Sequence, residues 1–371
     1  MPMASDNAKS GWARFAATLS RSPYVRAAAA CTVVSLLTSS TQPSAAALSA
    51  GPGTLWVAQE GSVVAMGGSG TGLKALGSVT SYGAMATGDS APGALVSRSM
   101  DGPDGLAFDS SGDLWVANST SDTVVEVPRG QLGKPGPVPG IVISSASGRA
   151  LSSPSGLAFD SSGDLWVSNE ASNTVTELNK QELSSSGPKS PETTIPGPSG
   201  STVPEPLGLT FDTRGDLWMT SSDMGGFNIL VEFTKGQLAG DNPRPHVTIT
   251  SDAAGSLRSP GAPAVSASGA VWVPNEANNT VVEFTKPELA RSGSPVPQVT
   301  ISANGSATNV NEPSGLAFDA AGDLWVVNGG NDTIVEFSRT ELSTSGSPAP
   351  VRTIAGPRTA LNYPAAIAIE R

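Results

Sequence analysis

PSGLAFDSSGDLWVSNEASNTVTEL, residues 154–178, and PSGLAFDAAGDLWVVNGGNDTIVEF, residues 313–337, are two spellings of one phrase. The phrase occurs five times between Gly102 and Leu342. From Gly51, the segment GPGTLWVAQEGSVVAM supplies the back half of a sixth copy, and the closing YPAAIAIE, residues 363–370, supplies the front half. A unit cut so that its halves lie at opposite chain ends is what a closed ring requires. The repeat tryptophans Trp56, Trp115, Trp166, Trp218, Trp272 and Trp325 are 59, 51, 52, 54 and 53 residues apart. Strand-built repeats of about 40–50 residues are propeller blades, whereas helical repeats are mostly shorter and carry a 3.6-residue pattern.

Within a copy the apolar runs are short and separated by Gly, Pro, Ser, Asn and Asp, which reads as strands and turns. In the second copy, residues 156–160 form a first strand and residues 161–164 a tight turn, with Gly163 free to take positive φ. Residues 165–169 form a second strand with Trp166 on one face and Leu165 and Val167 on the other. Both faces are apolar, as expected of a sheet sandwiched between two others. Residues 174–178 make a third strand, residues 179–187 hold a helical turn, and residues 192–195 make a weaker fourth strand. The expected fold is therefore all-β: a six-bladed β-propeller over residues 51–371, its last blade closed by pairing N- and C-terminal strands. The fourth copy carries Pro263 in its first strand, where a missing backbone donor makes the ladder irregular.

Residues 1–50 stand outside the repeat. They run from Lys9, Arg14, Arg21 and Arg26 through an apolar stretch at residues 27–37 to small residues ending in Ala47 and Ala50, the order of a secretory signal. The apolar run is short for a membrane span of about 20 residues. A secreted or extracytoplasmic chain is expected, with no stable membrane span after cleavage and with Cys31 as a conceivable lipidation point. The whole chain carries −11; the leader's +3 leaves −14 for residues 51–371. Such a surface repels phosphates and excludes nucleic acid as a partner class. The cysteine count of one leaves no intrachain disulfide, so the ring rests on burial alone.

The run PxGLAFDxxGDLWVxN resembles the NHL repeat, and the six-copy ring resembles NHL and SMP-30/gluconolactonase-like propellers over residues 51–371. In such propellers the loops before the first strand and after the second share one face, usually the binding face. The resemblance places Asp104, Glu205 and Glu312 before or at first strands. It places Asn118, Asn169, Asn275 and Asn328 at the ends of second strands, with Glu60, Asp122, Glu170, Asp223, Glu276 and Asp332 nearby. SMP-30-like lactonases hold a channel cation with Glu, Asn and Asp, which makes Glu205 and Glu312 the candidate metal ligands and Ca²⁺ the possible ion. Streptogramin lyases, also propellers, rely on a histidine. The single His246 lies in an outer strand, away from the axis.

Two further features shape the expectation. Asp109, Asp160, Asp212 and Asp319, each followed four residues later by a second Asp, read as turn-makers because Asp side chains bond their own turn backbone. The third copy lengthens its loop after Trp218, and Asp223 and Phe227 there could line the binding face, with Met224 beside them. The main expectation is a monomeric, non-catalytic binding platform for a glycan, peptide or envelope protein at an Asn-rich polar face. The alternative is a cation-dependent hydrolase or lactonase of SMP-30-like type.

Overall fold

The computed structural model describes residues 53–370 except 61–62, 65–73, 76, 98, 135–136, 147–149, 192, 196–204, 224–225, 241–242 and 304–308. The expected leader and Met224 lie outside the described residues. Among the described residues no helix is long and apolar enough to cross a membrane.

Five copies fold as antiparallel sheets whose strands follow chain order from the axis outward. Blade 1 is Pro103–Phe108, Leu114–Asn118, Thr123–Val127 and Ile141–Ser145; blade 2 is Pro154–Phe159, Leu165–Asn169, Thr174–Leu178 and Thr193–Ile195. Blade 3 is Pro206–Phe211, Leu217–Ser222, Asn228–Phe233 and Val247–Thr250. Blade 4 is Ala264–Val265, Val271–Asn275, Thr280–Phe284 and Val299–Ser302; blade 5 is Pro313–Phe318, Leu324–Asn328, Thr333–Phe337 and Arg352–Ile354. Blade 6 joins the chain ends in the order Pro364–Ile369, Leu55–Gln59, Ser78–Tyr82, Ala94–Val96. Leu55 faces Ile369 and Val57 faces Ile367 across the seam. The Tyr82 hydroxyl donates to the Thr359 carbonyl, and burial pushes its pKa up to about 12. The expected six-bladed ring with a two-ended closing blade is what forms.

Each blade-to-blade interface holds one indole. Trp166 packs on Leu217 and Met219 of blade 3, while Leu165 and Val167 face Trp115 of blade 1. Trp218, Trp272, Trp325 and Trp56 repeat the arrangement, the last against Leu114 and Val116 of blade 1. Three of these rings meet the inner-strand phenylalanine of the next blade edge to face: Trp115–Phe159, Trp166–Phe211 and Trp272–Phe318, at 6.0, 6.2 and 6.2 Å. Burying one indole removes roughly 150–250 Å² from water, a gross gain of about 4–6 kcal/mol.

At the axis, backbone meets backbone. A Cβ on Gly105 would lie 2.0 Å from the Ser155 carbonyl oxygen, and one on Gly156 2.3 Å from that of Leu207. One on Gly208 would lie 2.2 Å from Ala262 Cα, and one on Gly261 2.2 Å from the Ser314 oxygen. Glycine at these positions is what lets the inner strands approach so closely. In blade 4 the proline expectation holds: the inner strand keeps two ladder residues, and Ala262 donates to Ser314 of blade 5 instead.

The outer edges of blades 1, 3 and 4 are also covered. After the short 3₁₀ turn of blade 2, Gly187–Lys189 runs parallel to Ile141–Ser145 of blade 1, and Gly293 and Gly346 bridge Ile249 and Ile301 in the same way. The preceding serines, Ser186, Ser292 and Ser345, accept from the N–H groups of Val142, Thr248 and Thr300. An edge so occupied offers no template for aggregation.

Deleting residues 365–371 removes the inner strand of blade 6 and Glu370, whose carboxylate lies 3.8 Å from Arg129 of blade 1. The expected outcome is loss of the cooperative thermal transition, a larger effect than Trp325→Ala, which should cost about 3–5 kcal/mol. An unchanged melting midpoint in the truncated chain would refute closure as the source of stability.

Candidate functional site

Two loop sets meet on one face because each blade ties them together. The residue after the second strand donates its N–H to the carbonyl of the residue before the inner strand: Ser119 to Gly102 at 2.8 Å, Glu170 to Ser153 at 3.1 Å, Glu276 to Ser259 at 3.1 Å and Gly329 to Glu312 at 3.0 Å. The pre-proline residue is left-handed in every blade, with Gly102, Ser153, Glu205, Ser259, Glu312 and Tyr363 at φ between 43° and 66°. Such backbone costs energy for a residue with a side chain and persists only when its surroundings fix it. Here the previous blade fixes it. Asp122, Asn173, Asn228, Asn279 and Asp332 accept the N–H of Ser153, Glu205, Ser259, Glu312 and Tyr363 at 2.6, 2.6, 2.8, 2.6 and 2.6 Å.

The four asparagines expected to face a ligand do not. Asn118, Asn169, Asn275 and Asn328 are fully buried. Each holds the strand that crosses from the preceding blade. Asn118 accepts from Asp101 N–H at 3.2 Å and donates to the Ser99 carbonyl at 2.9 Å; Asn275 accepts from Arg258 at 3.0 Å and donates to Ser256 at 2.9 Å. Asn169 and Asn328 do the same with residues 150–152 and 309–311. An amide whose oxygen and nitrogen both hold buried backbone has nothing left to present.

A separate set of carboxylates forms the mouth: Glu170 and Glu276 after two of those asparagines, Glu60 after Gln59, and Asp104. Asp104, on the inner strand of blade 1, is hydrogen-bonded to Glu60 of blade 6 and feels Glu170 of blade 2 and Glu276 of blade 4. Burial comes first among the causes that push its carboxyl well above the usual carboxylate range; repulsion from Glu60, Glu170 and Glu276 adds to it. Blades 6 and 2 flank blade 1 and blade 4 lies opposite, so the weakest of the three influences comes from across the channel. Asp104 keeps some accessible surface and so faces the open mouth. Tyr363 also enters this set, its hydroxyl 3.4 Å from Glu276 Oε1. Sequence reasoning placed Glu60, Glu170 and Glu276 beside the asparagines without choosing them. Their signal was a carboxylate immediately after the second strand.

Glu205 and Glu312, the expected metal ligands, are not among the groups acting on Asp104. Their left-handed backbone turns the side chain toward its own blade's loop: a Cβ at Gly330 would touch Glu312 Cγ at 3.0 Å. Glu205 is raised by burial and by Asp223 beside it. Asp223 accepts from Phe227 N–H at 2.8 Å, closing its loop, and the Phe227 ring is 47% exposed.

On the opposite face the aspartate pairs serve their turns, as expected. Asp160 Oδ1 accepts from Ser162 and Asp164, and Asp164 accepts from Lys180. With a strand-three glutamate these pairs make three compact acidic groups capable of holding a metal: Asp160, Asp164 and Glu177; Asp212, Asp216 and Glu232; and Asp319, Asp323 and Glu336. In blade 3 the cation is internal, because Arg214 pairs with Asp212, Asp216 and Glu232 at 2.8, 3.0 and 2.8 Å.

No protein-family model matches the sequence, and no curated protein matches it significantly. The NHL reading of the repeat therefore has no match behind it, whereas the propeller fold has many. The periplasmic gluconolactonase of Pseudomonas aeruginosa is 20% identical over 86% of this chain and 85% of its own, with a TM-score of 0.52. A nidogen/laminin complex contains a chain 12% identical over 86% of this one and 99% of its own, at 0.55. A virginiamycin B lyase from Staphylococcus aureus is 17% identical over 71% of this chain and 73% of its own, at 0.48. The first two of these likenesses bear out the propeller fold. The expectation of a non-catalytic binding platform is corrected: a similar structure, the periplasmic gluconolactonase, is that of an enzyme, and the Asn-lined face is absent because those amides are buried.

The mouth makes folding pH-dependent with a definite sign. Asp104 is raised above its ordinary 3.8, so its contribution is fully present below that pH and is lost as pH rises through the raised value. Asp104→Asn should therefore raise Tm at pH 8 and leave it nearly unchanged at pH 4. Thermal melts of both proteins at the two pH values test this. An equal shift at both would show that repulsion at the mouth is not its origin.

Proposed function

We propose that the chain is an extracytoplasmic hydrolase that opens a neutral lactone or comparable ester at the acidic mouth. The observation that carries this reading is the convergence of Asp104 with Glu60, Glu170 and Glu276, which makes the Asp104 carboxyl hold its proton more tightly than an ordinary carboxyl does. Environments that push neighbouring carboxyl groups apart in proton affinity make an acid and a base of chemically equivalent side chains. Asp104 is the acid and Glu276, across the channel, is the base. Glu276 takes a proton from water, the water oxygen bonds to the acyl carbon, and the acyl–oxygen bond breaks. Asp104 gives its proton to the departing alkoxide oxygen. Glu60 holds the Asp104 proton in place, and the negative surroundings turn away anionic substrates.

The donor set also fits a hard cation. Glu60, Asp104, Glu170 and Glu276 offer only oxygen, the ligand type Ca²⁺ takes. When bound, such an ion would polarise the substrate carbonyl. A cluster of this kind is relieved either by a proton or by a cation, so the two compete. Export is supported by the charged, apolar and small-residue order of residues 1–50, and kinship with NHL repeats by the recurring phrase. The fold shared with a periplasmic gluconolactonase adds an example of lactone chemistry on a like scaffold.

The test is a panel of γ- and δ-lactones and aryl esters followed by pH indicator. Asp104→Asn and Glu276→Gln should each lower kcat by about 10²-fold or more, the range of general acid–base catalysis. Calcium should raise Tm at pH 8, by the equivalent of about 2.7 kcal/mol at a hundred times Kd, and by less at pH 5. A wild type that hydrolyses no member of the panel, or that matches Asp104→Asn, overturns the reading.

A further inference from the structure

Two departures from the repeat fit one another at the mouth. Before the inner-strand proline the six blades carry Gly102, Ser153, Glu205, Ser259, Glu312 and Tyr363, so blade 6 alone has an aromatic there. At the position following the second-strand Gln, Asn or Ser they carry Ser119, Glu170, Ser222, Glu276, Gly329 and, in blade 6, Glu60, so blade 5 alone has no side chain. These two residues touch in space. A Cβ on Gly329 would lie 3.5 Å from Tyr363 Cζ, in contact with the ring, so a longer side chain pointing this way would compete with the ring for the same space. Gly329 is buried beneath the ring.

Tyr363 thus starts in blade 6, crosses blade 5 over Gly329 and brings its hydroxyl to Glu276 Oε1 of blade 4. Its starting point is rigid. The backbone at φ 52° is followed by Pro364 and its N–H is held by Asp332 at 2.6 Å. The 3.4 Å separation is long, as hydrogen bonds in catalytic sites often are before substrate tightens them. Positive φ recurs in all six blades and belongs to the scaffold. The aromatic side chain and the matching gap do not recur.

We propose that Tyr363 is a positioning residue, passing through the gap left by Gly329 to donate to Glu276 and fix that carboxylate over the channel mouth. The inference rests on the hydrolase reading for its kinetic consequence, and on side-chain placement alone for its geometry. A residue that orients a reacting group through one hydrogen bond is worth about 10–100-fold when removed.

The experiment compares wild type, Tyr363→Phe, Gly329→Gln, Glu276→Gln and the Tyr363→Phe/Glu276→Gln double variant. Crystal structures of the first three give the position of the Glu276 carboxylate. Steady-state kinetics on the lactone that the wild type hydrolyses fastest give kcat and KM separately. Tyr363→Phe keeps the ring and so the packing; it should let Glu276 swing from the mouth and lower kcat about 10-fold with KM unchanged. Gly329→Gln fills the passage and should have the same two effects without touching either partner. In the Glu276→Gln background, Tyr363→Phe should cost nothing more. If the wild type hydrolyses nothing, the hydrolase reading has failed while the crystal structures still decide on Tyr363. Glu276 unmoved in Tyr363→Phe overturns the proposal whatever the kinetics.

Discussion

The closeness of the inner strands at the axis governs both the ring and its mouth. Gly105, Gly156, Gly208 and Gly261 allow neighbouring backbones to touch, and a single methyl at Gly105 would sit 2.0 Å from a carbonyl oxygen. That approach fixes the wedge angle at which six indoles find their pockets. It also fixes how far apart the loops above the strands can be. Carboxylates from blades 1, 2, 4 and 6 share one electrostatic neighbourhood because the circle beneath them is small. A wider ring would leave the same side chains as independent surface charges with no chemistry in common.

The two faces use acidic residues to opposite ends. On the turn face, Asp160 and its counterparts are saturated by backbone N–H groups, and Arg214 neutralises the blade 3 group outright. Carboxylates satisfied in this way stabilise loops and are unavailable for reaction. At the mouth, Asp104 finds another carboxyl as its partner, and burial disfavours its charged form. Carboxyl facing carboxyl, in place of carboxylate facing amide or guanidinium, is the distinction between the two sets of acid groups in this chain. It is set by partners, not by residue type.

Much of this was legible in the order of residues. Tryptophan spacing gave the blade count, YPAAIAIE gave the closure, and the alternation around Trp166 gave the two faces of the second strand. Pro263 announced the broken ladder of blade 4. The asparagines misled for a definite reason: their position at the end of the second strand was right, but the side chain points back into the crossing strand, a choice made by buried backbone groups 17 to 19 residues earlier. The partners of Asp104 could not be read either. That Glu276 lies opposite it follows from a circle, and distance around a circle has no counterpart along a line. Tyr363 and Gly329 were visible only as separate irregularities until the ring put them together.

The two-ended blade has a consequence for how the molecule comes into being. Leu55–Gln59 finds the partner for its inner edge only in Pro364–Ile369, which the ribosome makes after the five intervening blades. Until then the earliest strand waits with a bare row of amides, and every wedge made in the meantime is an arc with two raw margins. Arcs of this sort are sticky. The strand Pro364–Ile369 therefore acts as a clasp, and a chain interrupted before it keeps both margins bare.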